Sequence, residues 1–121
     1  MILRTGIDLI EIPRIRDAIE RHGERFLARI FTEAERRESN GRVSSLAARF
    51  AAKEAVAKAL GCGIGEVNWL DIEIRSDENK APYLILYGEG ERRANDLGLS
   101  NWSVSLSHTI DQAVAFVVAV S

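Results

Sequence analysis

The sequence predicts one α+β domain over residues 1–121, built on a mostly antiparallel sheet packed with helices. Apolar segments follow one another in the order strand, several helices, two strands, one helix, two strands, and this order is typical of the α+β class. The chain has 121 residues, about the length of one domain. Its 46% hydrophobic and 28% charged residues are typical of a globular protein.

The N-terminal segments predict a strand followed by short helices. A nearly continuous apolar run predicts a buried strand over about residues 2–10. Pro13 suits the first turn of a helix, and Gly23 marks where that helix ends or bends. Apolar residues between Phe26 and Ile30 indicate a second short helix.

Capping residues predict the next two helices. Thr32 followed by Glu35 matches a capping box, so a third helix should begin there. Ser44 or Ser45 then predicts the start of a longer helix. Seven of the thirteen residues from 47 to 59 are alanine, so this helix can approach a neighbouring backbone or a ligand closely.

The C-terminal part predicts strands around one further helix. The expected elements are a half-buried strand around 70–75, a returning strand at 82–87, a helix at 89–97, and strands at about 102–109 and 112–120. Every residue from Ala113 to Val120 is apolar, so this last strand should be buried on both faces. Because a small chain has few ways to cover both faces alone, we expect an oligomer built on the sheet.

Composition and charge exclude several classes of function. The formal charge of −2 argues against a general nucleic-acid binder, which would need a basic surface. The single cysteine, Cys62, excludes an internal disulfide and a cysteine-rich zinc site, and it fits a reducing compartment. No apolar run reaches about 18 residues and no basic-then-apolar leader opens the chain, so we expect a cytoplasmic protein with no membrane partner.

Arginines are concentrated towards the N-terminus. Residues 1–49 carry ten basic residues, all arginine, against eight acidic ones. On one unbroken helix Arg14, Arg21 and Arg25 would fall within about 40° of one another. They would then form a basic ridge suited to an acidic protein surface. A solvated helix face, partly neutralised by nearby acidic residues, is the alternative.

Two carboxylates lie in apolar surroundings. Asp8 interrupts the first strand, so it either faces inward with a partner or ligand, or points outward by strand alternation. Glu54 and Lys58 lie four residues apart on the alanine-rich helix, as an ordinary surface pair or as part of a site. Two carboxylates, with other positions left to water and phosphate, would suit Mg²⁺ rather than zinc.

Two further segments carry weaker signals. The turn after the alanine-rich helix contains Gly61, Gly63 and Gly65, and it either holds a phosphate on its backbone N–H groups or caps the helix. His108 ends a strand whose serines point to the opposite face, so adjacency supports no Ser–His nucleophile pair. Cys62 has no histidine near it in sequence and is interpreted as structural.

These segments together resemble the holo-acyl-carrier-protein synthases, which have the 4′-phosphopantetheinyl transferase fold. The resemblance is carried by Gly6-Ile7-Asp8-Leu9 and by the stretch from Arg49 to Gly61. The segments 69–74 and 105–108 follow in the family's order, so nearly the whole chain is covered. One departure is Cys62, which stands where the family often has a threonine.

The resemblance implies transfer of the 4′-phosphopantetheine group from coenzyme A to a serine of apo-acyl carrier protein. Adenosine 3′,5′-bisphosphate would be released, and the reaction would support fatty acid biosynthesis. Asp8 and Glu54 match the family's magnesium-binding carboxylates, and Lys58 matches a basic residue beside the phosphates. These three are the catalytic candidates. The serine proton would go either to Glu54 or to a water on the metal.

The remaining implied sites concern the coenzyme, the carrier protein and other subunits. The coenzyme pocket would be formed by Arg49, Lys58, Gly61, Gly63, Gly65 and His108. The acidic carrier protein would bind at Arg14, Arg21 and Arg25. Family members are trimers with active sites between subunits, and we therefore expect a homotrimer.

The residues leave two other functions open. A non-catalytic module could bind coenzyme A or an acidic partner, although binding alone does not require two carboxylates for a metal. A hydrolase of nucleotide pyrophosphates would act without any carrier protein. The simultaneous presence of Asp8, Glu54 and Lys58 favours the transferase.

Overall fold

The computed structural model describes residues 1–121. Its strands are β1 (Leu3–Glu11), β2 (Ile72–Ser76), β3 (Pro82–Leu86), β4 (Asn101–His108) and β5 (Gln112–Val120). Its helices are α1 (Ile12–His22), α2 (Glu24–Ile30), α3 (Glu33–Ser39), α4 (Val43–Ala59) and α5 (Gly88–Asp96), and a short 3-10 turn covers Trp69–Asp71. None of these helices has the length and apolar character that crossing a membrane requires.

The strands form two antiparallel units. β1, β5 and β4 make a three-stranded sheet with β5 in the middle, and β2 pairs only with β3. In the larger sheet Asp8 lies opposite Ala115, and Ile7 lies opposite Phe116. The predicted α+β class with antiparallel pairing is thus what the structure has.

Helix α4 is the centre of the core. Most of its 17 residues are buried, and it packs against both β1 and β5. The closest approach is at Gly6 of β1, where an added Cβ would lie 1.8 Å from the carbonyl oxygen of Ala55. The small alanine side chains and this glycine together allow the helix to lie almost on the strand, as the alanine content predicts.

The two faces of the larger sheet differ. The inner face of β5 is completely buried by α4, through Ala113, Ala115, Val117 and Ala119. On the outer face Phe116 is 42% exposed and Ile7 is 57% exposed. The expectation that β5 is buried on both faces is therefore wrong for a single chain, because nothing in the chain covers the outer face. On β1 and β5 that face is nevertheless mostly apolar, whereas β4 presents Ser103, Ser105 and Ser107 there.

Three local predictions are wrong in detail. Helix α4 begins two or three residues earlier than expected, with Arg42 at the N-cap position, so Ser44 and Ser45 lie within its first turn and neither caps it. The half-buried strand expected around 70–75 opens instead with the 3-10 turn. Strand β2 then buries Glu73 as well as its neighbours, since this carboxylate accepts hydrogen bonds from two hydroxyl groups.

Candidate active site

Asp8 faces the interior side of β1. Side chains on this strand alternate between exposed positions such as Ile7 and less exposed ones such as Asp8, which lie on the side of α4. The Nζ atom of Lys58 lies 3.2 Å from Oδ1 of Asp8 and donates a 2.8 Å hydrogen bond to the carbonyl of Ile7. The outward alternative for Asp8 is therefore wrong, and its partner is Lys58.

Glu54 lies one helical turn before Lys58 on the same face of α4. Partial burial raises the pKa of the Glu54 carboxyl, the negative charge of Asp8 raises it further, and Lys58 acts in the opposite direction. The carboxylates of Asp8 and Glu54 are thus close enough to repel each other, and the ammonium group of Lys58 partly offsets this repulsion. The structure brings together Asp8, Glu54 and Lys58, as predicted.

The carboxylate of Glu54 opens onto a cleft of about 670 Å³. The other lining residues are Arg29, Ile64, Gly65, Asn68 and Trp69. Gly65 was a sequence candidate, whereas Arg29 was missed. The sequence does contain a signal for Arg29, because it follows Arg25 by four residues and therefore lies near it on one helix face.

The glycine-rich turn serves mainly as a helix cap. The N–H groups of Gly61 and Cys62 donate to carbonyls in the last turn of α4, and that of Gly65 donates to Val67. Gly61 has φ 74°, which is the left-handed conformation expected after a helix. Of the five residues 61–65, Gly63 and Ile64 alone have N–H groups without an acceptor within the chain, so a phosphate could use at most these two.

Arg49 points away from this cleft. It is buried, and its guanidinium donates to the carbonyl of Ile74 and to the hydroxyls of Ser45 and Ser76. An ion pair with Glu38 at 3.3 Å completes its environment. In a single chain Arg49 therefore holds β2 against α4, instead of lying beside Glu54 as the predicted coenzyme pocket requires.

His108 also lies apart from Glu54 in a single chain. It lines a different cleft of about 660 Å³, together with Arg16, Arg42 and Ser44. Ser44 is in the first turn of α4, and the ten residues from there to Glu54 span about 15 Å along the helix. One subunit thus does not assemble all the predicted coenzyme-binding residues.

The arginine ridge is interrupted. Gly23, with φ 53°, ends α1 and starts α2, so the unbroken helix assumed in the prediction does not exist. Arg14 and Arg21 remain exposed on α1. Arg25 belongs to α2, where it lines a groove of about 400 Å³ with Phe26 and other residues. The further lining residues are His22, Arg29, Ile30, Phe50 and Trp69.

Cys62 is partly buried in the turn after α4. Desolvation raises the pKa of its thiol, and this effect exceeds the opposing one of Arg93. A thiol with a raised pKa is a poor nucleophile at neutral pH because little thiolate is present. The structural interpretation of Cys62 therefore agrees with its surroundings.

Comparison with known proteins gives matches over almost the whole chain. The model of the 4′-phosphopantetheinyl transferase superfamily matches residues 4–117. A holo-[acyl-carrier-protein] synthase of Herpetosiphon aurantiacus is 51% identical over 124 aligned positions, which cover 97% of this chain and 98% of that protein.

Solved structures agree with the sequence matches. The crystal structure of Helicobacter pylori holo-[acyl-carrier-protein] synthase in complex with coenzyme A has a TM-score of 0.88 at 34% identity, covering 96% of this chain and 99% of that one. The Bacillus anthracis holo-(acyl-carrier-protein) synthase in complex with CoA (3′,5′-ADP) has a TM-score of 0.78 at 39% identity, covering 96% and 94%. The predicted family and fold class are confirmed.

Proposed function

This chain belongs to the 4′-phosphopantetheinyl transferase superfamily, and we propose that it works as a holo-[acyl-carrier-protein] synthase. The hydroxyl oxygen of a carrier-protein serine attacks the pantetheine-side phosphorus of coenzyme A. The bond from that phosphorus to the bridging oxygen breaks, and adenosine 3′,5′-bisphosphate leaves with the bonding electrons. The observation that carries this proposal is the meeting of Asp8, Glu54 and Lys58 at one end of α4.

Asp8 and Glu54 fit a magnesium ion. Their carboxylate oxygens are hard ligands, and Mg²⁺ is commonly held by one or two carboxylates together with substrate phosphates and water. Burial and then the negative charge of Asp8 raise the pKa of Glu54, and a bound cation would offset this unfavourable charge. No set of three or more histidine, cysteine or acidic side chains converges in the chain, so an ion held here would take its other ligands from substrate and water. When bound, the ion would neutralise charge on the pyrophosphate as its bond breaks.

Lys58 is placed to contact the departing phosphate. Its side chain is 54% exposed, whereas that of Asp8 is 20% exposed. An ammonium group keeps three donors, and in Lys58 one is directed to Asp8 and one to the carbonyl of Ile7. The third donor can reach substrate, and a fixed positive charge there would stabilise the leaving oxygen.

The chain needs no nucleophile of its own, because the attacking hydroxyl belongs to the carrier protein. A base must still take the serine proton. Glu54 and a bound water are the two candidates, and a carboxylate that holds a metal ion is a weak base, so we favour the water.

Arginines on α1 and α2 form the docking surface for the acidic carrier protein. Arg14 and Arg21 are exposed on α1, and Arg25 is exposed at the groove that also contains Phe26. Arg29 lines both this groove and the Glu54 cleft. A partner bound along these arginines would therefore lie next to the site of transfer.

The enzyme is proposed to be a homotrimer. On strands β1 and β5 the outer face of the larger sheet is mostly apolar and partly exposed, through Leu3, Ile7, Leu9, Val114, Phe116, Val118 and Val120. Packing copies on this face would remove it from water. It would also allow His108 of one subunit to complete the coenzyme pocket of another, whereas Arg49 is held inside its own subunit. The number three and the role in fatty acid biosynthesis come from the resemblance to the family, and the cytoplasmic location is the expectation from the sequence.

Mass spectrometry of an apo-acyl carrier protein tests the function directly. The carrier protein is incubated with this enzyme, coenzyme A and Mg²⁺, with EDTA in a parallel sample. We expect the gain of one phosphopantetheine group, lost with EDTA. Coenzyme A binding without that gain would support the non-catalytic module. Release of adenosine 3′,5′-bisphosphate without carrier protein would support the hydrolase.

A further inference from the structure

Charged side chains occupy the free edge of β2. One edge of this strand pairs with β3, and no strand lies along the other. On that free edge the carbonyl of Ile72 accepts from Lys53, and the N–H of Ile74 donates to Glu35. The carbonyl of Ile74 accepts from Arg49, and the N–H of Ser76 donates to Glu38. Helices α3 and α4 therefore supply the partners that a neighbouring strand would otherwise provide.

Lys53 and Glu35 are the most deeply buried members of this set. Both side chains are completely buried, and Nζ of Lys53 lies 2.8 Å from Oε1 of Glu35. Nζ also donates to the carbonyl of Trp69 at 3.0 Å and to that of Ile72 at 2.5 Å. All three ammonium donors thus have an acceptor, which is the condition for burying such a charge.

The contact with Trp69 connects this buried pair to the candidate site. The indole of Trp69 packs on Phe50, with ring centroids 4.7 Å apart. Trp69 lines the Glu54 cleft and also the groove that contains Arg25. Lys53 directly precedes Glu54 in α4. The same helical turn therefore carries the Glu54 carboxylate and holds Trp69, which lines the cleft beside it.

We propose that Lys53, paired with Glu35, is a positioning residue. It fixes Trp69, which forms one wall of the Glu54 cleft (the Trp69 wall), relative to Glu54. The inference rests on the proposed function, since the wall would lie between the coenzyme and the docked carrier protein. The other interpretation is that the pair only stabilises the fold. Buried ion pairs can often be replaced by apolar residues without loss of stability, so stability alone does not account for it.

The chain offers a matched control for a purely structural role. Arg75, on the same strand β2, donates to Glu38 at 2.8 Å. Removing Arg75 breaks an ion pair of the same network, but Arg75 makes no contact with Trp69. Lys53→Met therefore removes the hydrogen bond to the carbonyl of Trp69, whereas Arg75→Met leaves it in place.

The experiment combines acrylamide quenching with steady-state kinetics. Both variants are made in a Trp102→Phe background, which leaves Trp69 as the single tryptophan. Lys53→Met should make Trp69 more accessible to acrylamide and lower kcat by about 10- to 100-fold, the cost of a misplacement near 1 Å. Arg75→Met should leave both readouts within about twofold of the parent. The double variant Lys53→Met/Glu35→Gln carries no unpaired buried charge, so it takes the place of Lys53→Met if that variant does not fold.

The outcomes separate this inference from the proposed function. Equal changes in quenching and kcat for Lys53→Met and Arg75→Met would overturn the positioning role. If the parent enzyme modifies no carrier protein, the proposed function fails. The quenching comparison still decides whether Lys53 holds Trp69, because it requires no substrate.

Discussion

The ammonium group of Lys58 lies 3.2 Å from the carboxylate of Asp8, which joins the last turn of α4 to the middle of β1. The two residues are 50 positions apart in the chain. Close packing of α4 on β1 at Gly6, two residues before Asp8, makes this contact possible. Lys58 thereby offsets the charge of one of the two carboxylates. The pKa of Glu54 is still raised, by burial and by the charge of Asp8.

Removing either carboxylate should abolish transfer without unfolding the protein. Asp8→Asn and Glu54→Gln each keep the side-chain volume but remove a charged oxygen ligand, so we expect kcat to fall by about 100-fold or more. Mass spectrometry of the carrier protein measures turnover, and circular dichroism checks the fold. Glu91→Gln, on an exposed position of α5, is the matched control. Normal turnover of either site variant at ordinary Mg²⁺ would contradict the metal assignment.

The contact between β1 and α4 should tolerate no side chain at Gly6. In Gly6→Ala the new methyl group would lie 1.8 Å from the backbone oxygen of Ala55, so the helix or the strand must move. We expect a loss of about 3 kcal/mol or more in the free energy of unfolding. Gly63→Ala is the control, since nothing lies within 4 Å of its Cβ position. Urea denaturation measures both, and similar values for the two variants would be inconsistent with this packing.

Part of this site can be predicted from local patterns in the sequence. The alternation of β1 and the four-residue spacing of Glu54 and Lys58 follow from strand and helix periods. The family motif then disfavoured the outward alternative for Asp8, and the contact with Lys58 shows that it is wrong. Gly23 was correctly identified as a break or bend, but its consequence for Arg25 depends on a backbone angle that the sequence does not specify.

Other features depend on packing between distant segments. The capping box predicted the start of α3, and Glu35 does accept the Thr32 N–H. Its second role, as the buried partner of Lys53, arises only when α3, α4 and β2 meet. Similarly, Ser45 looked like a cap, but its hydroxyl instead accepts from Arg49, which has turned toward β2.

Glu38 should make the stability depend on acid pH. Burial alone would raise the pKa of this carboxyl, but hydrogen bonds from Arg75 and Ser76 and the charges of Arg75 and Arg49 outweigh it, so the pKa is lowered. A lowered pKa in the folded state means that the stabilisation is complete above the ordinary glutamate value of about 4.3. It is lost as the pH falls through the lower folded value.

Glu38→Gln should therefore be less stable than the parent by about 2 kcal/mol at pH 7, and this gap should shrink as the pH falls below about 4.3. The exposed Glu78, in the β2–β3 turn, makes no hydrogen bond through its side chain, so Glu78→Gln is the control. Thermal unfolding across this pH range measures the difference. A constant gap between Glu38→Gln and the parent at all pH values would contradict the role of the ionised carboxyl.

A charge on the outer face of the sheet should separate the subunits. Ile7 lies opposite Phe116 at the centre of the exposed apolar patch. Ile7→Lys would place an ammonium group in the proposed interface, where desolvation is costly. Sedimentation should show a trimer for the parent and a smaller species, inactive in transfer, for the variant.

Tyr83→Lys is the control for this substitution, because Tyr83 is about as exposed as Phe116 but lies on β3. It should sediment as the parent does. A parent that sediments as a single chain at micromolar concentration would refute the trimer. Equal dissociation in both variants would indicate a general loss of stability.

Reversing one charge on α1 should weaken carrier-protein binding selectively. Arg14 is exposed and makes no ion pair within the chain, so its guanidinium is available to an acidic partner. Arg14→Glu should raise KM for the carrier protein by about tenfold at low salt, and the effect should shrink as ionic strength rises. KM for coenzyme A should stay unchanged, because coenzyme A would bind at the Glu54 cleft. Arg92→Glu, on α5, makes the same change of charge outside the proposed docking surface and should alter neither constant. Equal increases in both KM values for Arg14→Glu would instead place Arg14 at the coenzyme site or reveal a damaged fold, and the arginines of α1 would no longer be assigned to docking.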